Sequence, residues 1–173
     1  MSEPHEGFPI LVIELDGGEV RIRLRPDLAP QHTARLIELA RSGAYDGVVF
    51  HRVIEGFMAQ TGDVAHGSTT LGYRPWRVGT GGSQLPDLPA EFTDTPFRRG
   101  TVGMARAADP DSANSQFFIM FADAPHLDGN YTVVGEVIEG MELIDALPRG
   151  EPPMDPGVMR RVRVEGAPEA ADG

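Results

Sequence analysis

The sequence contains no cysteine, which excludes both a disulfide framework and thiol chemistry. It also contains no apolar run near the roughly 20 residues that a membrane-spanning helix needs. Residues 1–8 are polar and acidic and lack the basic and apolar segments of a signal peptide. We therefore expect a cytoplasmic protein without a membrane partner. A periplasmic location stays open, because a mature chain that had lost its signal peptide would look the same.

Positive charge is scarce as well, with a formal net charge of -11. A nucleic-acid surface would need clustered Lys and Arg, so we expect no nucleic-acid partner. The acidic residues are spread along the chain and favour a role in solubility. The five histidines show no metal-ligand spacing, and the calcium-like segment 109–114 lacks the glycine of a calcium loop. We therefore expect no metal site.

Loop-forming residues, in contrast, are abundant, with 21 glycines and 15 prolines. That composition favours short strands joined by loops over a helical bundle. The length of 173 residues fits a single domain. We place that domain at 9–165, between a flexible N-terminus at 1–8 and a flexible tail at 166–173.

The hydrophobic periods predict a mainly β protein with two helices. A hairpin is predicted from 10–15 and 20–24 across a glycine turn, and an amphipathic helix from 30 to 42. Further strands are predicted at 48–54, 57–61, 101–105, 115–121, 131–137 and 158–164, with a second helix at 140–147. The first helix should turn Thr33, Leu36, Ile37 and Ala40 inward and Gln31, Arg35, Glu38 and Arg41 outward. The pattern lacks a βαβ rhythm and favours an antiparallel barrel or sandwich with helical caps.

A few polar residues interrupt these apolar strands. Arg52 and Gln60 stand in one strand-turn-strand stretch, and the two-residue period of a later strand puts Gln116 and Phe118 on one face. If that face borders the concavity of Arg52, Met58 and Gln60, two amides surround a guanidinium beside an apolar pocket. The residues alone leave another interpretation open: Arg52 on the surface, Met58 and Phe118 in the core, and the glutamines at strand edges.

Four segments are similar, in the same order, to the cyclophilin family of peptidyl-prolyl cis-trans isomerases. They are FHRVI at 50–54, GFMAQTGD at 56–63, GTGG at 79–82 and SQFFI at 115–119. The likeness runs from about residue 10 to 164, and the segments at 103–107 and 127–131 are similar to bacterial members. The resemblance implies a closed eight-stranded antiparallel barrel capped by two α-helices, with the substrate groove on its outside. It also implies an enzyme that accelerates rotation about X-Pro bonds and assists protein folding.

The resemblance further implies a role for each matching residue. Arg52 would be the catalytic arginine, and Gln60 would hold both that arginine and the peptide. The residues implied to contact the substrate are Phe57, Met58, Gly79, Ala105, Arg106, Ala107, Gln116, Phe118, His126, Leu127 and Tyr131. The implied partners are proline-containing peptides and unfolded or flexible proteins, and we expect a monomer.

The chemistry of X-Pro rotation agrees with this assignment and requires no cofactor. Rotation destroys amide resonance and meets a barrier of about 18–20 kcal/mol. Shortening uncatalysed exchange to milliseconds needs about a 10⁴-fold gain, or about 5.5 kcal/mol. A guanidinium can donate to the localised lone pair of the twisted nitrogen, and an apolar pocket can hold the ring while its low dielectric strengthens that contact.

Three residues depart from the pattern common in the family. His126 stands where many eukaryotic members have a tryptophan that contributes to cyclosporin binding, so we predict weak cyclosporin affinity. Tyr131 aligns with a histidine that lines the pocket, and Arg106 replaces a common asparagine.

Two other functions compete with an isomerase. A proline-peptide binding module would tolerate loss of Arg52, whereas an enzyme would not. A barrel that carries a small ligand inside is disfavoured by the large apolar residues expected on the inward strand faces.

Overall fold

The computed structural model describes residues 7–166. Of the predicted flexible termini, residues 1–6 and 167–173 lie outside the described residues. Within 7–166, no helix is both long enough and apolar enough to cross a membrane.

The described residues form one antiparallel sheet with two α-helices. In chain order the elements are β1 (Ile10–Leu15), β2 (Gly18–Leu24), α1 (Pro30–Arg41), β3 (Val48–Ile54), β4 (Met58–Thr61), β5 (Thr101–Met104), β6 (Phe117–Met120), a 3₁₀ turn (Pro125–Leu127), β7 (Val133–Glu139), α2 (Met141–Asp145), β8 (Val158–Met159) and β9 (Arg161–Glu165). The strand order across the sheet is β8-β3-β4-β6-β5-β7-β2-β1-β9.

The mainly β antiparallel barrel with two helices that the sequence predicts is confirmed. The described residues form nine strands rather than eight, because the last predicted strand is divided at Arg160. β8 pairs with β3 at one edge of the sheet and β9 pairs with β1 at the other. Two consecutive segments of chain thereby join both edges and nearly close the barrel.

Strand alternation fills the barrel interior with apolar side chains. In β2, Val20, Ile22 and Leu24 are fully buried, while Arg21 and Arg23 lie on the other face and are only partly buried. The interior side chains include Leu11, Ile13, Val20, Ile22, Leu24, Leu36, Val48, Phe50, Val53, Ala59, Val102, Met104, Phe117, Ile119, Val134 and Val162. This packed core argues against a barrel that carries a ligand inside.

Helix α1 covers one opening of the barrel with its buried residues Leu36, Leu39 and Ala40. The prediction that Arg35 faces outward is wrong, since its side chain is buried. Its guanidinium donates to the carbonyl oxygen of Pro86 at 2.7 Å and to that of Asn114 at 3.3 Å. Two loops distant in sequence cover this side of the helix and supply the hydrogen bonds that a buried guanidinium needs.

A β-bulge in β3 changes which face of the barrel its residues occupy. Phe50 pairs with Thr61 but Arg52 pairs with Gln60, so β3 contains one more residue than its partner strand. Before the bulge, Val48 and Phe50 point into the core; after it, Val53 does so and Arg52 lies on the outer face.

The fold predicts a large stability loss when Phe117 is replaced by alanine. Its ring is fully buried and packs edge-on against Tyr45 with ring centroids 5.6 Å apart. We expect the free energy of unfolding, measured by urea titration, to fall by about 3–5 kcal/mol because a cavity replaces the ring. Phe92→Ala is the control, since Phe92 is 41% exposed, and its cost should stay below about 1 kcal/mol. Similar losses in the two variants would contradict this packing.

Candidate active site

The register of four strands places a row of residues across the outer face of the barrel. Arg52 pairs with Gln60, Gln60 with Phe118, and Phe118 with Gly103. The neighbouring row faces the core and runs through Val53, Ala59, Ile119 and Val102, which are all buried. The two-residue strand period therefore brings the arginine, the amide and an aromatic ring together outside the barrel.

Gly103 leaves room for the aromatic part of this row. A Cβ atom at this position would lie 2.7 Å from the rings of both Phe97 and Phe118. Those two rings are stacked, with centroids 5.8 Å apart and planes inclined by 22°. A side chain at position 103 would displace Phe118, so the glycine is required by close packing.

An apolar pocket opens beside Arg52, with a volume of about 140 Å³. Met58, Phe118 and Leu127 are buried members of a second hydrophobic cluster that lies outside the barrel interior. The residues lining the pocket are Arg52, Phe57, Met58, Gln60, Ala105, Arg106, Phe118, Leu127 and Tyr131. The pocket thus combines apolar side chains with polar groups of Arg52, Gln60 and Arg106.

The aromatic wall of the pocket is completed by Tyr131. Its ring meets Phe118 edge-on, with centroids 5.7 Å apart and planes at 88°. The guanidinium of Arg106 lies over Tyr131, 4.5 Å from the ring centroid, and donates to the carbonyl oxygen of Asn130 at 2.7 Å. Cation–π contact and hydrogen bond together hold the Arg106 side chain along the rim.

The guanidinium of Arg52 has two partners on different sides. Its Nη1 donates to Gln60 Oε1 at 3.3 Å, and its Nε donates to Glu151 Oε1 at 3.0 Å. Gln60 Nε2 in turn donates to Gln116 Oε1 at 2.9 Å. Gln116 Nε2 then donates to the carbonyl oxygens of Gly79 and Gly81 at 3.0 and 2.8 Å. This relay fixes the orientation of both glutamines.

The buried carboxylate of Asp63 holds the loop at which this relay ends. It accepts hydrogen bonds from the backbone N–H groups of Ala65, His66, Gly79 and Gly81 over 2.7–3.1 Å. A Cβ atom at Gly81 would lie 2.5 Å from Asp63 Oδ1, so no larger residue fits there. Charge-assisted bonds to one carboxylate therefore fix the carbonyl groups that Gln116 uses.

A second cavity of about 220 Å³ adjoins the pocket and shares Gln60, Ala105 and Arg106 with it. Its remaining lining residues are Gly79, Thr80, Gly81, Ala107, Ser112, Asn114, Ser115 and Gln116. Along its edge, Ala105 N–H donates to the carbonyl of Gln116 at 3.0 Å and Ala107 N–H donates to Ser112 Oγ at 2.8 Å. The two cavities form one continuous groove.

The structure brings all but one of the predicted site residues to this groove. The exception is His126, which is exposed, lines neither cavity and stacks on Phe57 with ring centroids 6.0 Å apart. Sequence reasoning assigned no role to several residues that build the site, namely Asp63, Thr80, Gly81, Ser112, Asn114, Ser115 and Glu151. Glu151 lies in an aperiodic proline-rich segment 99 positions from Arg52, where no sequence pattern marks it.

The arrangement suits charge stabilisation at an apolar surface. A guanidinium donor, fixed by side-chain amides, adjoins a pocket that excludes water from a bound ring. Within residues 7–166, no group of three or more His, Cys, Asp or Glu side chains is placed to hold a metal ion.

The protein is similar to known peptidyl-prolyl cis-trans isomerases. The family model described as cyclophilin type peptidyl-prolyl cis-trans isomerase/CLD matches residues 10–168. A probable peptidyl-prolyl cis-trans isomerase of Brucella suis biovar 1 (strain 1330) is 60% identical over 140 residues, which cover 81% of this chain and 71% of that protein. Peptidyl-prolyl cis-trans isomerase B of Bacillus subtilis (strain 168) is 38% identical over 153 residues, or 87% of this chain and 94% of that protein.

Solved structures show the same similarity. A Cryptosporidium parvum cyclophilin type peptidyl-prolyl cis-trans isomerase, crystallised in the presence of the dipeptide Ala-Pro, has a TM-score of 0.77 and 26% sequence identity. The match covers 90% of this chain and 98% of that one. A cyclophilin from Hirschia baltica has a TM-score of 0.76 and 29% identity, covering 88% and 72% of the two chains.

A buried histidine lies next to the arginine of the site. His51 occupies the bulge of β3, and its two ring nitrogens have no hydrogen-bond partner in the described part of the chain. Burial lowers the pKa of His51 to about 4; the charge of Asp63 and the side chain of Gln116 oppose this shift, whereas the charge of Arg52 acts in the same direction. The imidazole is therefore neutral at physiological pH.

Stability should fall on acidification because His51 titrates lower in the folded protein. An unfolded histidine titrates near about pH 6.5, whereas the pKa of folded His51 is about 4. Between these values the unfolded state binds more protons, so this contribution is complete above about pH 6.5 and is lost as the pH falls to about 4. The loss should be about 3 kcal/mol, measured by urea unfolding of wild type and His51→Gln at about pH 7.5 and about pH 4.

The variant lacks the titrating group, so its stability should fall less than that of the wild type over this range. His126→Gln is the control, because it measures how the free energy of unfolding changes when an imidazole is lost at an exposed position. Equal losses in wild type and His51→Gln would contradict the assignment.

Proposed function

This chain belongs to the cyclophilin family of peptidyl-prolyl cis-trans isomerases, and we propose that Arg52 is the catalytic group of its isomerase reaction. The family resemblance and the enzyme class that the sequence predicts are confirmed by the match over residues 10–168 and by the curated relatives. The position of Arg52 is the observation that supports this proposal. Its guanidinium lies at the edge of the apolar pocket and is held there by Gln60.

The pocket supports a reaction in which the proline ring stays still. Phe118, Met58 and Leu127 offer an apolar surface to the ring, while the carbonyl on the other side of the X-Pro bond turns. Burial of the ring in this pocket favours binding in both isomers equally. Such uniform binding lowers KM but does not raise kcat, so the rate gain has to come from another group.

Arg52 is suited to supply that rate gain. In the planar amide the nitrogen lone pair is delocalised into the carbonyl, whereas in the twisted amide it is localised and accepts a hydrogen bond. A guanidinium that donates to this lone pair stabilises the transition state more than either ground state. Its bonds to Gln60 and Glu151 fix the group beforehand, so little reorganisation is needed during the reaction.

The backbone of residues 105–107 supports the proposed peptide contacts, with one refinement. Because the N–H groups of Ala105 and Ala107 already donate within the protein, they are not available to a peptide. The backbone groups of Arg106 lie between them at the junction of the two cavities. We assign peptide alignment to Arg106, whose side chain is held aside over Tyr131.

The proposed substrates are proline-containing segments of flexible or unfolded proteins. The groove is open to solvent on the outside of the barrel, and the Cryptosporidium parvum relative was crystallised in the presence of Ala-Pro. An extended segment can enter such a groove, whereas a proline inside a folded domain cannot. The weak cyclosporin affinity expected from His126 stays a prediction.

Replacing Arg52 by alanine should reduce kcat/KM at least about 100-fold, the usual cost of one transition-state hydrogen-bond donor. The measurement is the isomerisation rate of a short Xaa-Pro peptide. Arg52→Lys should recover only part of the rate, because an ammonium cannot reproduce the planar guanidinium that Gln60 and Glu151 hold.

Arg160→Ala is the matched control for this experiment. Arg160 also forms an arginine–carboxylate pair, with Asp16 at 2.8 Å, but it lies outside both cavities of the groove. The control should keep the wild-type rate. Equal rates for wild type and Arg52→Ala would exclude the proposed mechanism, and peptide binding without turnover in the wild type would favour a binding module.

A further inference from the structure

We propose that Glu151 determines substrate specificity, favouring proline peptides that carry a basic residue next to the proline. The inference rests on the proposed role of Arg52 and goes beyond it by naming a substrate class. Glu151 Oε1 accepts a hydrogen bond from Arg52 Nε at 3.0 Å.

The backbone next to Glu151 is fixed to the same strand that carries Arg52. Gly150 and Val53 exchange two backbone hydrogen bonds, each of 2.9 Å. Glu151 is the residue directly after this bridge, and Arg52 is directly before Val53. The carboxylate is therefore held beside the guanidinium by the fold, and the ion pair does not depend on a mobile loop finding its partner.

Glu151 adjoins the pocket through Arg52. Gln60 lines both the pocket and the second cavity, whereas Arg52 lines the pocket and not the second cavity, and Glu151 is bonded to Arg52 but lines neither cavity. A peptide whose proline occupies the pocket must extend in both directions from it. One flanking residue enters the second cavity, and the residue on the opposite side passes Glu151.

The carboxylate is accessible to such a residue. Its side chain is 57% exposed, and in residues 7–166 its ion-pair partner is Arg52 alone. Only one of its two oxygens bonds to Arg52, so the other can accept from a lysine or arginine of the substrate. A second acidic group of this region, Glu55, is bonded to Arg149 at 2.9 Å, and within residues 7–166 it forms no ion pair with Arg52.

Glu151 also changes how Arg52 acts on charged substrates. A bare guanidinium would attract an acidic residue next to proline, and the adjacent carboxylate cancels that attraction. With the pair intact, a basic flanking residue is favoured and an acidic one is disfavoured. Exposed pairs are weak and screened by salt, so each effect should be about 2- to 5-fold in kcat/KM and should shrink as ionic strength rises.

The test compares three peptides that differ only in the residue next to proline, which is Lys, Gln or Glu. The substitution is made in one series after the proline and in another before it. For wild type we expect the Lys-to-Glu ratio of kcat/KM to exceed about threefold in one of the series at low salt. Glu151→Gln should bring that ratio to about one or invert it, whatever change in kcat it causes on the neutral Gln peptide.

Glu55→Gln removes an equal charge from the neighbouring ion pair and serves as the matched control. It should leave the Lys-to-Glu ratio at its wild-type value. The inference is overturned if Glu151→Gln keeps the wild-type ratio, with or without an equal loss of kcat on all three peptides, or if Glu55→Gln changes the ratio as much. Because Arg52→Ala is assayed on the neutral Gln peptide, its result tests the proposed function separately from these ratios.

Discussion

The single extra residue in β3 is the constraint on which the outer site depends. Without this bulge, Arg52 would follow Val48 and Phe50 into the barrel interior, where an unpaired guanidinium cannot be tolerated. With it, Val53 takes the interior position and Arg52 joins the row that contains Gln60 and Phe118. Because register determines which face each residue occupies, one backbone irregularity creates the charged edge of an otherwise apolar surface.

A network of hydrogen bonds holds the charged edge at Arg52 in place. Asp63 fixes Gly79 and Gly81, their carbonyls orient Gln116, and Gln116 orients Gln60 beside Arg52. Each polar group in this relay satisfies its neighbour, so the network is stable although much of it is buried. The guanidinium of Arg52, the proposed catalytic group, stays half-exposed, which lets it meet a substrate. The chain thus separates a fixed supporting network from an open groove.

Local patterns in the sequence predicted most of the elements, and the family resemblance predicted most of the site residues. The alternation in segment 116–119 placed Gln116 and Phe118 on one face, and the structure brings both to the groove. Features that depend on distant segments could not be predicted in this way. Arg35 follows the outer side of the helical period yet is buried by loops at Pro86 and Asn114. The bulge in β3 exists because of its pairing with β4. The ninth strand arises because the last segment of the sheet pairs with both of its edges. Glu151 reaches Arg52 from a loop that has no hydrophobic periodicity.

The central claim is that Arg52 acts on the twisted amide more than on the bound peptide. Exchange spectroscopy by NMR tests it directly, since the interconversion rate of a saturating Xaa-Pro peptide on the enzyme is measured together with its Kd. For Arg52→Ala the account predicts an on-enzyme rate at least about 100-fold slower, with Kd changed by less than about tenfold. An unchanged on-enzyme rate with only a weaker Kd would contradict it, because Arg52 would then be a binding residue alone.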